Sequence, residues 1–111
     1  MAISPPKELV GGTLVSDSAT SVYTAPANVS VLVTHATAHN TDTVARLIEV
    51  WIGTAANDAS KVFTKSIAAD ATETIEGVRG RPILAGDQIF MVCDAASVVS
   101  IALGGISFPV E

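Results

Sequence analysis

The sequence predicts a single all-β domain, an antiparallel sandwich or barrel of about eight strands with helix content near zero. Three observations carry this. Turn-forming clusters recur at short intervals, among them "SDSATS", "TAPAN", "NTDT", "GTAANDAS", "GVRGRP" and "LAGD". Between them lie segments of roughly 5 to 10 residues rich in Val, Ile, Thr and Ala. No window repeats its apolar residues at the 3.6-residue helical period. A chain of 111 residues is one domain, able to bury roughly two thirds of its unfolded surface.

The strands follow from these breaks in order: Glu8–Val15, Ser21–Thr24, Val29–Asn40, Val44–Thr54, Lys61–Ile67, Thr72–Glu76, Gln88–Cys93 and Val98–Phe108. The last is expected to break at Gly104–Gly105. "ILAGDQIF" gives the clearest local signal: Ala85–Gly86 turns, and Ile89, Met91 and Cys93 then point one way. Gly86 supplies the positive φ that a tight turn needs. Alanine-rich "AANDAS" and "SIAADAT" carry Asn, Asp and Thr, which favour turns over helix. Ahead of the first sheet residues, Pro5–Pro6 hold the chain extended. Gly11–Gly12 read as a flexible joint, so residues 1–12 are expected to form an arm and residues 13–111 the sandwich.

Charged residues make up 15% of the chain and apolar ones 49%. Such low charge implies either a large core or an apolar surface that meets another subunit. Val44–Gly53 points to the second: Ile48 and Val50 lie on one face, Leu47 and Trp51 on the other, and neither face is cleanly polar. A sandwich strand with one solvated side alternates more sharply. Either this is a central strand covered on both faces or its outer face meets another copy. The low charge favours the second, and Leu47, Ile48, Val50 and Trp51 are the candidate oligomer interface. No uninterrupted apolar run approaches the ~18 residues of a membrane span. The start "MAISPPKELVGG" lacks the basic head and apolar stretch of a signal peptide, so the chain is expected to be made and kept in the cytosol.

Net charge is −5 and no basic stripe is present, which argues against a nucleic-acid partner. "RGRP" at Arg79–Pro82 has the arginines to hold a phosphate, although turns more often leave such arginines solvated. His35 and His39, four residues apart, would share a helical face as in metal-binding helices. Val29, Val31 and Val33 lead into them with period two, however. On a strand the histidines stand ~13 Å apart at about 3.3 Å per residue, too far to share one ion. Asp17, Asp42, Asp58, Asp70, Asp87 and Asp94 fall at turns, where Asp bonds its own backbone. The single cysteine, Cys93, lies in "IFMVCDA", the setting of a small buried hydrophobe. No nucleophile motif or phosphate loop is present. The expectation is a protein that is not an enzyme, with no cofactor and no metal.

"YTAPAN", "VSVLVTHATAHNTD", "TVARLIEVWIG" and "RPILAGDQIFMVCDAASVVSIALGGISF" resemble a recurrent pattern in small β-sandwich structural proteins of tailed bacteriophages. Tyr23–Pro26, Asn40, Val50–Ile52 and Leu84–Asp87 carry the likeness, which spans residues 22 to 108. It implies a jelly-roll-like antiparallel sandwich with an extended N-terminal arm. It further implies a virion protein, commonly a homotrimer, that decorates and cements the capsid by binding the major capsid protein. The runner-up is a receptor- or carbohydrate-binding module of the tail or head fibre, which would need exposed aromatics. Within the arm, Ile3, Pro5, Pro6, Leu9 and Val10 are the candidate docking residues, with apolar anchors and free backbone donors for addition to a sheet edge.

Overall fold

In a computed structural model, residues 7–109 are described, with side chains from Leu9 onward. They form nine strands and no helix. These are β1 (Lys7–Leu14), β2 (Thr20–Thr24), β3 (Val29–Asn40), β4 (Arg46–Gly53), β5 (Lys61–Ile67), β6 (Thr72–Thr74), β7 (Pro82–Ile83), β8 (Gln88–Cys93) and β9 (Val99–Pro109). One antiparallel sheet has the order β1-β9-β3-β6, with β7 also on β3; the other has the order β2-β8-β4-β5. Without the two-residue β7, the first, eighth, third and sixth strands form one sheet and the second, seventh, fourth and fifth the other. That is the jelly-roll order.

The core lies between the sheets and follows the period-two pattern of each strand. Val31 and Val33 from β3, Ile101 and Leu103 from β9, Ile48 and Val50 from β4, and Ile89, Met91 and Cys93 from β8 are all buried. In β3 the alternation slips one place at a bulge between Val33 and His35. Thr34 and His35 are both exposed there, and Ala36, Ala38 and Asn40 take over the inward positions. A bulge adds a residue on one strand and so shifts its faces. Opposite it, Gly105 pairs with Val33 and Gly104 with His35. The ladder runs through both glycines, so β9 is continuous where a break was expected.

Asn40 closes one end of the sandwich. It is fully buried. Its Nδ2 donates to the carbonyls of Val44, Ile67 and Ala68 at 2.9, 2.9 and 3.3 Å, and its Oδ1 accepts the Asp42 amide at 2.9 Å. By holding the Val44 carbonyl it shapes the β3–β4 loop, and β4 starts at Arg46 instead of Val44.

The joint expected at Gly11–Gly12 is a pair of irregularities inside β1. Register shifts fall between Glu8 and Val10 and between Val10 and Thr13, while β1 pairs with β9 from Lys7 to Leu14. Gly12 has φ +56°, the left-handed conformation that a glycine bulge requires. The described sheet therefore includes Lys7–Leu14, so residues 7–12, expected in the arm, lie within it. Val10 is a core residue and Leu9 packs against the core, which removes both from the docking candidates. The edge this segment was expected to find on a partner is the β9 edge of its own sheet. Ile3, Pro5 and Pro6 lie outside the described residues.

Candidate functional site

The four interface candidates on β4 do not form one surface. Ile48 and Val50 are 1% and 0% exposed inside the chain's own core. Trp51 faces the outer side but is 8% exposed, with the Lys61 ammonium 5.6 Å from its ring centroid. The stem of a lysine readily covers apolar surface in this way. Only Leu47, at 42%, is open to solvent. The apolar character that looked like a subunit contact is mostly satisfied by the opposite sheet and by the neighbouring strand.

The larger open apolar side chains are instead Leu14, Val44 and Leu47 at one end and Leu84 elsewhere, with exposures of 42% to 59%. Hydrogen bonds bring the first three to the same end of the sandwich. The Val15 amide donates to Val99, the Asp94 amide to Leu47 and the Thr41 amide to Val98, and Asn40 holds Val44. Val44 and Leu84 carried the only sequence signal available, an aliphatic residue set inside a turn cluster.

The histidines share β3 but no common ligand. His39 Nδ1 lies 2.7 Å from Thr72 Oγ1, and its Nε2 lies 3.4 Å from Asp70 Oδ1. His35 is exposed on the bulge. Among the described residues no three His, Cys, Asp or Glu side chains converge.

The ion pairs serve the fold. Arg46 binds Asp42 through Nε and Nη2, both at 2.8 Å, and this hydrogen bonding holds the Asp42 carboxyl below its usual range. Lys61 pairs with Glu49 at 2.8 Å within one sheet. Lys65 pairs with Glu73 at 2.9 Å, joining β5 to β6 across the open flank. Lysines on an edge strand such as β5 also discourage strand addition.

Cys93 is 1% exposed, and burial pushes its thiol up from its usual value. A thiolate is the reactive form, so native Cys93 is expected to react with a thiol reagent at least a hundredfold more slowly than in urea, about 2.7 kcal/mol of opening. Labelling of folded protein at the unfolded rate would contradict this placement.

The remaining candidate is the turn that carries Arg79 and Arg81. It interrupts the edge segment running beside β3. The Ile75 amide donates to Ala36 and the Gly80 amide to Val33, while the Val33 amide donates to Arg81. Ile75 and Val78 are fully buried. Glu76, Gly77, Arg79, Gly80, Arg81 and Pro82 line a cavity of about 240 Å³. Arg81 Nε donates to the Gly77 carbonyl at 2.9 Å, which fixes its guanidinium at the rim.

No protein-family model matches the chain, and no curated protein sequence matches it significantly. Solved structures do match. A chain from a study of Bacillus endospore appendages, described as disulfide-linked pili, superposes with a TM-score of 0.57 at 11% identity. It covers 98% of this chain and 89% of that one. A chain of the Gx strain of infectious bursal disease virus gives 0.54 at 12% identity. T=1 particles derived from infectious bursal virus give 0.52 at 12% identity. These are proteins of pili and of virus particles. The alignments cover 96% and 97% of this chain but only 31% of each viral chain, so the domain spans about a third of their length. At such identities the likeness concerns the fold: an antiparallel β-sandwich that other proteins place in assemblies.

Proposed function

We propose that this chain is a structural protein of a tailed-phage particle, a decoration protein that self-associates, as a homotrimer, and cements the shell by binding the major capsid protein. The observation that carries the proposal is the jelly-roll strand order of a chain that superposes over 96% of its length on a virus-particle protein. The phage pattern at Tyr23–Pro26, Asn40 and Leu84–Asp87 supports it from the sequence side. Asn40 and Gly86 occupy structural positions that such a pattern would preserve, a buried loop clamp and a positive-φ turn residue. Location on the virion, with synthesis in the host cytoplasm, follows from the same reading.

A second reading, a subunit of a surface appendage, draws on the pilus chain, which is matched over 89% of its length. The lone cysteine weighs against a disulfide-linked version, because Cys93 is buried in the core. A carbohydrate-binding tail module is less supported, since Trp51 is covered instead of forming an open aromatic platform.

Two measurements test the proposal. Cryo-electron microscopy of particles assembled with and without the chain is expected to show added density at symmetry positions of the capsid. Density confined to the tail, or none, would refute decoration. Light scattering is expected to give an oligomer at about 10 µM, the upper range of ordinary protein contacts. Leu47→Glu, placing a charge at the end of the sandwich that also exposes Leu14 and Val44, is expected to weaken it at least tenfold, about 1.4 kcal/mol. A monodisperse wild-type monomer would sink self-association.

A further inference from the structure

The chain has six basic residues, and five of them have described side chains. Arg46, Lys61 and Lys65 are each paired with a carboxylate of the same chain. Among the described residues, Arg79 and Arg81 have no carboxylate within salt-bridge distance, Glu76 included, and both line the same cavity. Among the described side chains, the Lys and Arg charge not paired with a carboxylate thus lies in one place, in a chain of net charge −5.

That place is rigid. The turn is hydrogen-bonded to β3 at both ends, and buried Ile75 and Val78 anchor it. Gly77 lies so close to β5 that a Cβ there would meet the Val62 carbonyl oxygen. The Arg81 Nε bond to Gly77 uses one of the five donors of an exposed guanidinium and leaves its terminal amino groups available. Arginine forks suit planar carboxylates. The cavity, about 240 Å³, is smaller than the roughly 300–1,000 Å³ typical of small-molecule pockets. It has the size to take a side-chain carboxylate.

Matching acceptors exist on the same protein. The jelly-roll order brings the loops 15–19, 41–45, 68–71 and 94–98 to one end, and each contributes one aspartate: Asp17, Asp42, Asp70 and Asp94. Arg46 neutralises Asp42 at 2.8 Å and reaches Asp94 only at 3.9 Å. Asp17 and Asp94 are exposed, and Asp70 is 89% exposed. Beside them lie the open apolar side chains Leu14, Val44 and Leu47. On the arginine side, Leu84 is 59% exposed two residues beyond Pro82. Each surface therefore joins charge of one sign to exposed aliphatic area.

We infer that the Arg79–Arg81 cleft receives the carboxylates of the aspartate-bearing loop end of a second copy, with Asp17 and Asp94 as the incoming groups. The contact joins two different patches, so it is heterologous and generates a ring if its rotation closes. This deepens the proposed self-association by naming its two surfaces. It does not depend on the capsid as partner.

Charge reversal and its rescue test it. The probe is the intact chain, measured by analytical ultracentrifugation with circular dichroism confirming the fold. Arg79→Glu with Arg81→Glu, and separately Asp17→Lys with Asp94→Lys, are each expected to weaken association at least tenfold. An equimolar mixture of the two variants is expected to restore association between unlike chains, read as mixed complexes, because each offers the other complementary surfaces. A three-membered ring keeps one like pair, so closure to a trimer is not the readout. Wild-type association is expected to weaken as salt rises and the Debye length falls from about 30 Å at 0.01 M to about 8 Å at 0.15 M. Failure of the mixture to associate overturns the inference. Loss with the arginine variant but not with the aspartate variant overturns it in favour of a different acidic occupant. An oligomer that survives both reversals but dissociates on Leu47→Glu overturns it while leaving self-association intact.

Discussion

Asn40→Ala is expected to destabilise the fold by about 3 kcal/mol, the range in which a broken buried hydrogen-bond network falls. The side chain is fully buried, and its amide has two hydrogens and one carbonyl oxygen to satisfy. The hydrogens go to Val44 and Ile67, with Ala68 sharing, and the oxygen takes the Asp42 amide. Truncation strands carbonyls on two loops and an amide on one of them. Each buried group left unpaired costs about 1–3 kcal/mol, reduced where water enters. For a domain near 100 residues, a 3 kcal/mol loss lowers the melting temperature by about 12–24 °C. Asn40→Asp keeps the shape but faces the same carbonyls with a carboxylate, which has no donor. Its folded-state pKa should be raised, so its deficit should be smaller at pH 4 than at pH 7. Urea unfolding at both pH values measures this. A loss below about 1 kcal/mol for the alanine variant would show that the loops hold without the clamp.

Fold class was legible because strand grammar is local. The ends of β3, β5 and β8 coincide with their sequence-predicted bounds, since each is flanked by turn residues and fills one inward face with aliphatics. Asn40 was visible as a strand-ending residue, but its partners at Ile67 and Ala68 lie 27 and 28 positions away, and no local pattern connects them. β7 escaped notice because two residues beginning with proline carry no alternation. Gly11–Gly12 misled for a physical reason: glycine pairs permit a flexible joint and a bulge equally well, and only the register with β9 separates the two. The surface was harder to read. Trp51 looks like an interface residue until Lys61 is seen above it. Asp17, Asp42, Asp70 and Asp94 were each legible as turn residues, but their convergence at one end is a product of topology. The two arginines were visible as a motif. That they lack carboxylate partners while the other described cations have them is a property of the folded chain.

Gly105→Ala is expected to cost at least about 3 kcal/mol, the upper end for overpacking, because the added methyl has nowhere to go. A Cβ at Gly105 would run into the Leu32 carbonyl oxygen and lie 3.1 Å from Leu9 Cδ1. The leucine can rotate, but the carbonyl is fixed by its strand. β3 is paired with β9 on one side, Leu32 opposite Ile106, and with β7 on the other, Leu32 opposite Pro82. β9 is equally confined, between β3 and β1, with Gly105 opposite Lys7. Relief would mean parting β9 from β3 beside the bulge at Val33 and His35, where the ladder is already irregular. Gly12→Ala separates this steric effect from the general cost of replacing glycine. Gly12 has φ +56° and open space around its missing side chain, so alanine there meets only the left-handed backbone penalty, about 1–2 kcal/mol. Both variants change one methyl group in the same sheet, which makes the difference between their unfolding free energies informative. Urea unfolding with matched m-values is expected to place Gly105→Ala clearly below Gly12→Ala, or to find it insoluble while Gly12→Ala folds. Equal losses would mean that β9 can leave β3 at little cost, and that the sheet of β1, β9 and β3 is not the rigid half of the sandwich.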